Sequence, residues 1–330
     1  MKRNNALLVA AVMILAACGS GSGDAEGPLV VYSGRSEELV QPLIDQFEDQ
    51  SGLEVEVRYA GSTDLAATLL QEGEATEADV FYAQDPASLG SVAPLMSTLD
   101  DEILDQVDPR FADADGHWVG TSGRARVFVY NTGTDLPLPE TIDDVTDPAW
   151  AGQIGIAPTN GSFLAFVSAM ILERGEEETL AWLQDLAALE PVTFEGNSPI
   201  VAATDNGEIQ GGLVNHYYLL RLRAEGEGDN AENVFIPAGD VGSLVMPAGA
   251  GIIDGTDKPE AARDFVEFLL SADSQEYFAT ETFEFPVIDG IELGQGMPGL
   301  DEIETPDIDL SELAEVLDDA TRLVSEAGLV

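Results

Sequence analysis

Two adjacent phenols, Tyr217 and Tyr218, are the side chains in this sequence best suited to chemistry on a highly charged ligand. They stand in the stretch Gly212-Leu213-Val214-Asn215-His216-Tyr217-Tyr218-Leu219-Leu220-Arg221. The apolar run ending at Val214 reads as a buried strand, and the next run, backed by Arg221 and Arg223, reads as a helix. In open α/β sheets, ligands bind in the crevice where strand gives way to helix. Adjacent residues there can aim two phenol oxygens at one point. A phenol is a poor ligand until it loses a proton whose ordinary pKa is about 10. A hard, highly charged cation displaces that proton, and a helix N-terminus favours the resulting anion. Two phenolates therefore point to a trivalent metal, iron(III) first. The alternative is packing, with one ring in the core and the other at the surface. Taken alone, the pair favours packing.

The elements that must position these residues come from a chain of 330 residues, enough for one large or two medium domains. Thirteen Lys and Arg face 62 Asp and Glu, a formal net charge of −49. Nucleic acid and acidic membrane surfaces are poor partners for such a field. The acid is spread along the whole length, which reads as a solvated acidic surface suited to a salty habitat; a cationic partner is the weaker explanation. Residues 1–17 read as a signal peptide: Lys2 and Arg3 precede an apolar run, Ala6 to Ala17, too short to span a bilayer comfortably. Leu15-Ala16-Ala17-Cys18 resembles the lipobox of bacterial lipoproteins. Cys18, the only cysteine, is the expected lipidation site, which would hold the protein outside the cytoplasm on a lipid anchor. A lone cysteine excludes an intramolecular disulfide framework and cysteine-based metal sites. Residues 18–28 read as a flexible tether.

From Leu29 the pattern is β-α-β-α-β: strands at Leu29 to Tyr32, Val55 to Tyr59 and Val80 to Tyr82, with helices between them and Asp85 capping a third. A parallel sheet with right-handed crossovers follows. Ser33-Gly34-Arg35-Ser36 lacks the glycines of a dinucleotide fingerprint, which disfavours a nucleotide enzyme. After Leu95 the pattern loosens until a strongly β stretch ending at Tyr130. It carries Arg124 and Arg126, which either pair with surface acid or hold an anion in a cleft. A second α/β region begins with a strand at Ile154 to Ala157. Pro158-Thr159-Asn160-Gly161-Ser162 then leads into a helix near Phe163; such a turn is an anion cradle or ordinary capping. Further helices are expected over Thr179 to Leu189, after Asn197-Ser198, over Pro259 to Leu270 and Ala272 to Glu281, and at the C-terminal end. A strand is expected at Ser243 to Met246.

Five marks in order, Val31-Tyr32-Ser33-Gly34-Arg35, Ala78-Asp79-Val80-Phe81-Tyr82, Ser122-Gly123-Arg124-Ala125-Arg126, Ala157-Pro158-Thr159-Asn160-Gly161-Ser162-Phe163 and Val214-Asn215-His216-Tyr217-Tyr218, give a family resemblance. The chain resembles the periplasmic ferric-ion-binding proteins that serve ABC iron importers. The resemblance implies an α/β fold of two lobes, each a mostly parallel sheet flanked by helices, joined by crossover hinge strands and closing on ligand. Lobe 1 would hold residues 29–124 and 243–282, and lobe 2 residues 125–242 and 283–330. Tyr217 and Tyr218 would be the iron ligands. A synergistic carbonate or phosphate would meet Arg124, Asn160, Gly161, Ser162, Asn197 and Asn215, with Arg35, Ser36, Gln84 and Arg126 around them. Many relatives place a His and a Glu at the positions of Ser36 and Gln84, and some add a tyrosine where this chain has Phe163. The inferred site thus has two protein ligands at most. The implied protein is a monomer that hands ferric ion to a membrane permease and catalyses nothing.

Two other readings stay open. The same cleft could carry a phosphonate, a polyamine or another small anion or organic solute, a reading motivated by Ser36 and Gln84. A surface hydrolase is disfavoured: no Gly-x-Ser-x-Gly elbow is present, and His117 and His216 are the only imidazoles. His216 is expected in a supporting or surface position and His117 in solvent, while Tyr32, Tyr82 and Tyr130 are expected to pack.

Overall fold

The computed structural model describes residues 27–237 and 239–330. The signal segment 1–17, Cys18 and the tether as far as residue 26 lie outside the described residues. The first half runs β1 (Leu29–Ser33), α1 (Glu37–Ser51), β2 (Val55–Tyr59), α2 (Ser62–Glu72), β3 (Val80–Ala83), α3 (Pro86–Ser91), α4 (Asp101–Leu104) and β4 (Val119–Asn131). The second runs β5 (Ile154–Ile156), α5 (Gly161–Ala188), β6 (Val192–Thr193), α6 (Asn197–Asp205), β7 (Gly211–Asn215), α7 (Tyr217–Ala224) and β8 (Ala231–Val234). It closes with β9 (Val245–Ile252), α8 (Pro259–Leu269), α9 (Ala272–Tyr277) and α10 (Leu317–Glu326).

Local chemistry explains the boundaries. Leu39, Val40, Leu43, Ile44 and Phe47 recur at helical spacing and are the buried face of α1, which stops where Gly52 takes a left-handed φ of 75°. The Asp85 carboxylate accepts from the Ser88 amide and starts α3. The helices expected near Phe163 and over Thr179 to Leu189 are the two arms of α5, broken at Gly175 with φ 83°. The strand expected at Ser243 to Met246 begins two residues later and runs on to Ile252, after a short turn over Val241–Ser243. Its continuation, Pro247-Ala248-Gly249-Ala250-Gly251, looks like loop in sequence. The small residues instead admit close neighbours: a Cβ on Gly249 would lie 2.7 Å from the Val119 carbonyl oxygen.

The strand order is β2-β1-β3-β9-β4-β7-β5-β6, with β8 also on β4. The outer trios β2-β1-β3 and β6-β5-β7 are parallel, as βαβ crossovers require. Antiparallel pairing enters through the two long central strands, β4 and β9. β4 pairs with β9 up to Ala125 and with β7 from Arg126 onward, so one strand belongs to both sheets. The protein is an α/β molecule of two lobes joined by crossover strands. Among the described residues no helix is long and apolar enough to cross a membrane.

Candidate functional site

Val214 and Leu219 belong to one apolar cluster with Val127, Ile200 and Val201, which fixes β7 and the start of α7 against the sheet. The tyrosines sit at this junction with ring centroids 4.2 Å apart and planes 28° from parallel. Tyr217 is 1% exposed, and Tyr218 is half-buried on the wall of a cleft of about 420 Å³. That cleft is lined by Arg35, Ser36, Tyr59 and Gln84 on one side and by Asn160, Asn197, Ser198, Tyr218 and Arg221 on the other. A hollow of about 650 Å³ beside Phe194, Pro199 and Val330 is larger but gathers no such chemistry, Glu195 being its one charged side chain. Burial raises the Tyr217 pKa well above the usual phenol value. Tyr218 and Glu284 raise it further, while Arg35 and Arg124 pull it back.

Behind the tyrosines lies a buried cationic cluster. The Arg35 guanidinium donates to Glu284 at 2.7 Å and to the Ser122 hydroxyl at 3.2 Å. It also lies over the Tyr82 ring, 5.7 Å from its centroid. Burial opposes the charge on Arg35, but Glu284 overrides it and the pKa is raised. Arg124 donates to the Pro247 carbonyl at 3.2 Å and approaches Glu284 at 3.9 Å; its Nε and Nη1 have no hydrogen-bond partner among the described residues. Arg126 donates to Asn215 Oδ1 at 3.3 Å, and its Nε and Nη2 are likewise unpartnered. Burial and the neighbouring Arg124 push Arg126 down to about 9, against an opposing pull from Tyr218; it remains cationic at neutral pH. Among the described residues Arg35 and Arg124 both meet the Glu284 carboxylate, and Arg126 makes no ion pair. Each unpaired, buried N–H group costs about 1–3 kcal/mol, so the cluster calls for an oxyanion.

The hydroxyl and amide residues form a chain from this cluster to the opposite wall. Asn215 donates to the Ser162 hydroxyl at 3.4 Å, and Ser162 donates to Gln84 Oε1 at 3.4 Å. Asn197 accepts from the Asn215 amide at 3.0 Å, and Asn160 caps α5 by accepting from the Ser162 amide at 3.1 Å. Gly161 is where the lobes nearly touch: a Cβ there would lie 2.8 Å from Asp85 Oδ2 and 2.9 Å from Gln84 Nε2. Ser36 lines the cleft exposed, and its side chain makes no cap on α1.

Several expectations change. His216 is fully buried, not at the surface: it stacks on Phe285 at 4.5 Å, and its Nδ1 accepts from the Ala125 amide at 3.2 Å. Burial lowers its pKa to about 4, so it is neutral scaffold. His117 is partly covered and pairs with Asp113 at 3.0 Å. Arg124 and Arg126 are buried rather than paired with surface acid. Glu284, fully buried and central to the cluster, was not identifiable in the sequence; its only trace is an acid between Phe283 and Phe285. Among the described residues no group of three or more His, Cys, Asp or Glu could hold a metal.

The family model for bacterial extracellular solute-binding proteins matches residues 42–303. The chain belongs to that family. The Fe(3+)-binding periplasmic protein of Serratia marcescens is 31% identical across 98% of this chain and 97% of its own length. The major ferric iron-binding protein of Neisseria meningitidis serogroup B is 30% identical across 96% of this chain and 97% of its own. The iron-bound HitA structure from Pseudomonas aeruginosa superposes with a TM-score of 0.86 at 31% identity, covering 91% of this solute-binding protein and 99% of HitA. The resemblance to periplasmic ferric-ion-binding proteins therefore holds along nearly the whole chain.

Proposed function

We propose that this solute-binding protein captures ferric ion between its lobes, with a synergistic anion, and delivers it to an ABC importer. Tyr217 and Tyr218 are the protein ligands. The observation that carries this reading is the stacked pair of phenols at the cleft, backed by a buried cluster with more guanidinium than carboxylate. Loss of two phenol protons supplies negative charge to the metal, and the nearby guanidiniums favour the phenolates. Carbonate or phosphate would take the unpartnered nitrogens of Arg124 and Arg126, with Asn160, Gly161, Ser162, Asn197 and Asn215 shaping the pocket. Arg35 is held back by Glu284 and supports the site from behind; Ser36 and Gln84 contribute only neutral oxygen or nitrogen.

The lobes are 29–124 with 243–282, and 125–242 with 283–330; the change of strand partner along β4 after Ala125 supports the first border. The protein works as a monomer, outside the cytoplasm, anchored through Cys18. It needs affinity and closure rather than catalysis. Titration with iron(III) in bicarbonate tests the reading. A visible tyrosinate-to-iron band that saturates at one ion per chain and is lost in both Tyr217→Phe and Tyr218→Phe is expected. Absence of colour in both bicarbonate and phosphate would remove ferric ion as cargo.

A further inference from the structure

We propose that the contact between Gly90 and Ala314 is a stop on opening: a seam between the lobes, remote from the cleft, whose fit sets how far the empty protein opens. This rests on the lobe borders and the ferric reading above, and names what regulates access to that site.

Three observations converge on it. First, one segment outside the cleft touches both lobes. The short 3₁₀ turn Leu310–Val316 packs against α3 of lobe 1 and α5 of lobe 2. Leu310 and Leu313 are buried in one apolar cluster with Ala87 of α3 and with Leu164 and Val167 of α5. Second, this turn is fastened to lobe 2. It runs into α10, which lies along α5, and Arg322 of α10 pairs with Glu176 of α5. The helix α3 is fastened to lobe 1, where a Cβ on Gly249 of β9 would lie 2.8 Å from the Leu89 side chain. The face between α3 and the turn is therefore a seam between lobes. Third, that seam has no slack at one point. A Cβ on Gly90 would lie 2.6 Å from the Ala314 Cβ, closer than real side chains approach. Both residues are half-buried, so the seam reaches solvent and is free to part.

The position of the seam gives its sense. The helices α3 and α5 begin together at the floor of the cleft, where Gly161 nearly meets Gln84 and Asp85. Gly90 lies toward the other end of α3, about 7.5 Å further along the axis at 1.5 Å per residue. Neither Gly90 nor the turn 310–316 lines the cleft. With the crossover strands β4 and β9 as fulcrum, parting the walls of the cleft drives the far end of α3 onto the turn. Closing the walls relieves that contact. Packed interiors resist compression, so a seam with no room for a methyl limits the opening.

The test uses the full chain with Gly90→Ala, Ala314→Gly and the two combined. Alanine favours a helix over glycine, so the first variant keeps α3, and the second relieves the seam without adding bulk. Radius of gyration of the iron-free protein is read by solution scattering, and iron(III) affinity in bicarbonate by competition with a chelator. Gly90→Ala should make the iron-free protein more compact and raise affinity on the order of tenfold through slower release, the scale set by one overpacked methyl. Ala314→Gly should widen the iron-free protein and lower affinity by about two- to fivefold, and the double variant should return toward the wild type. If Gly90→Ala widens the iron-free protein or weakens binding, the seam acts on the same side of the fulcrum as the cleft and the stop is refuted. Unchanged radii in both single variants refute it as well. A wild type that takes up no iron removes the ferric reading, while the scattering arm still decides the stop.

Discussion

The wall of the cleft that follows β7 presents Tyr218, with the buried Tyr217 ring stacked on it 4.2 Å away and Arg126 bonded to Asn215 nearby. The facing wall, after β1 and β3, presents neutral Ser36 and Gln84, an Arg35 whose charge is already engaged by Glu284, and an exposed Glu38 at the rim. On the proposed reading, the wall after β7 binds the charged ion tightly. The other would close over it through weak hydrogen bonds such as Ser162 to Gln84. A binding protein that must also release its cargo gains from this inequality, because opening breaks few strong bonds while the ligand stays on one wall.

The largest effect expected from breaking the inequality is on the strong wall. Tyr217→Phe should lower iron affinity beyond the roughly 10–100-fold that loss of a merely supporting residue costs, measured by competition with a chelator. Ser36→Ala on the weak wall should change it less than about threefold; comparable losses on the two walls would end the contrast. Next is the buried carboxylate that keeps Arg35 and Arg124 in place. Glu284→Gln leaves buried guanidinium charge and should cost about 3–5 kcal/mol of folding stability, read from urea unfolding of the iron-free protein.

The same variant carries a pH signature. Burial pushes the Glu284 carboxyl up, but Arg35 and Arg124 together outweigh burial and hold it below the usual range. The folded state therefore binds this proton less readily than the unfolded state. Its contribution to stability is present above the ordinary carboxylate pKa, about 4.3, and is lost as pH falls through the lowered value. The wild type should show this acid loss, and Glu284→Gln should lack that part of the slope.

Smaller effects sharpen the comparison. Gln84→Glu places a carboxylate deeper on the weak wall than the exposed Glu38, and iron affinity should rise with slower release in stopped-flow chelation; unchanged affinity would show that this wall lies too far from the ion. Gly161→Ala sets a methyl against Asp85 and Gln84. It should slow or weaken closure by about 1–3 kcal/mol, the cost of overpacking, seen as a larger radius of gyration of the loaded protein in solution scattering.

Much of the scaffold was legible in the chain. The periods of α1, β2 and α2 and the Asp85 cap are local signals, and so is the strand-to-helix change that places Tyr217 and Tyr218. The contacts that make the site were not. Glu284 meets Arg35 across 249 positions, and in a chain with 62 acidic residues no local feature separates it from a solvated one. β9 hid behind Pro247 and its glycines, which read as turn residues until neighbouring strands are seen pressing on them. For His216 a supporting and a surface position were both open in the sequence, and only the stack on Phe285, a contact between distant segments, excludes the surface one.

The partner exchange along β4 falls between Ala125 and Arg126, and Arg124 and Arg126 are the residues on either side of Ala125. On the proposed reading, the anion contacts and the hinge thus share one short piece of chain. If this is where the proposed lobes turn, a small rotation would move the rim, where Arg221 meets Glu38 at 3.5 Å, further than the guanidiniums beside the turning point. A membrane receptor gripping the rim would work with the long arm of a lever, converting a weak pull into separation of the walls around the cargo.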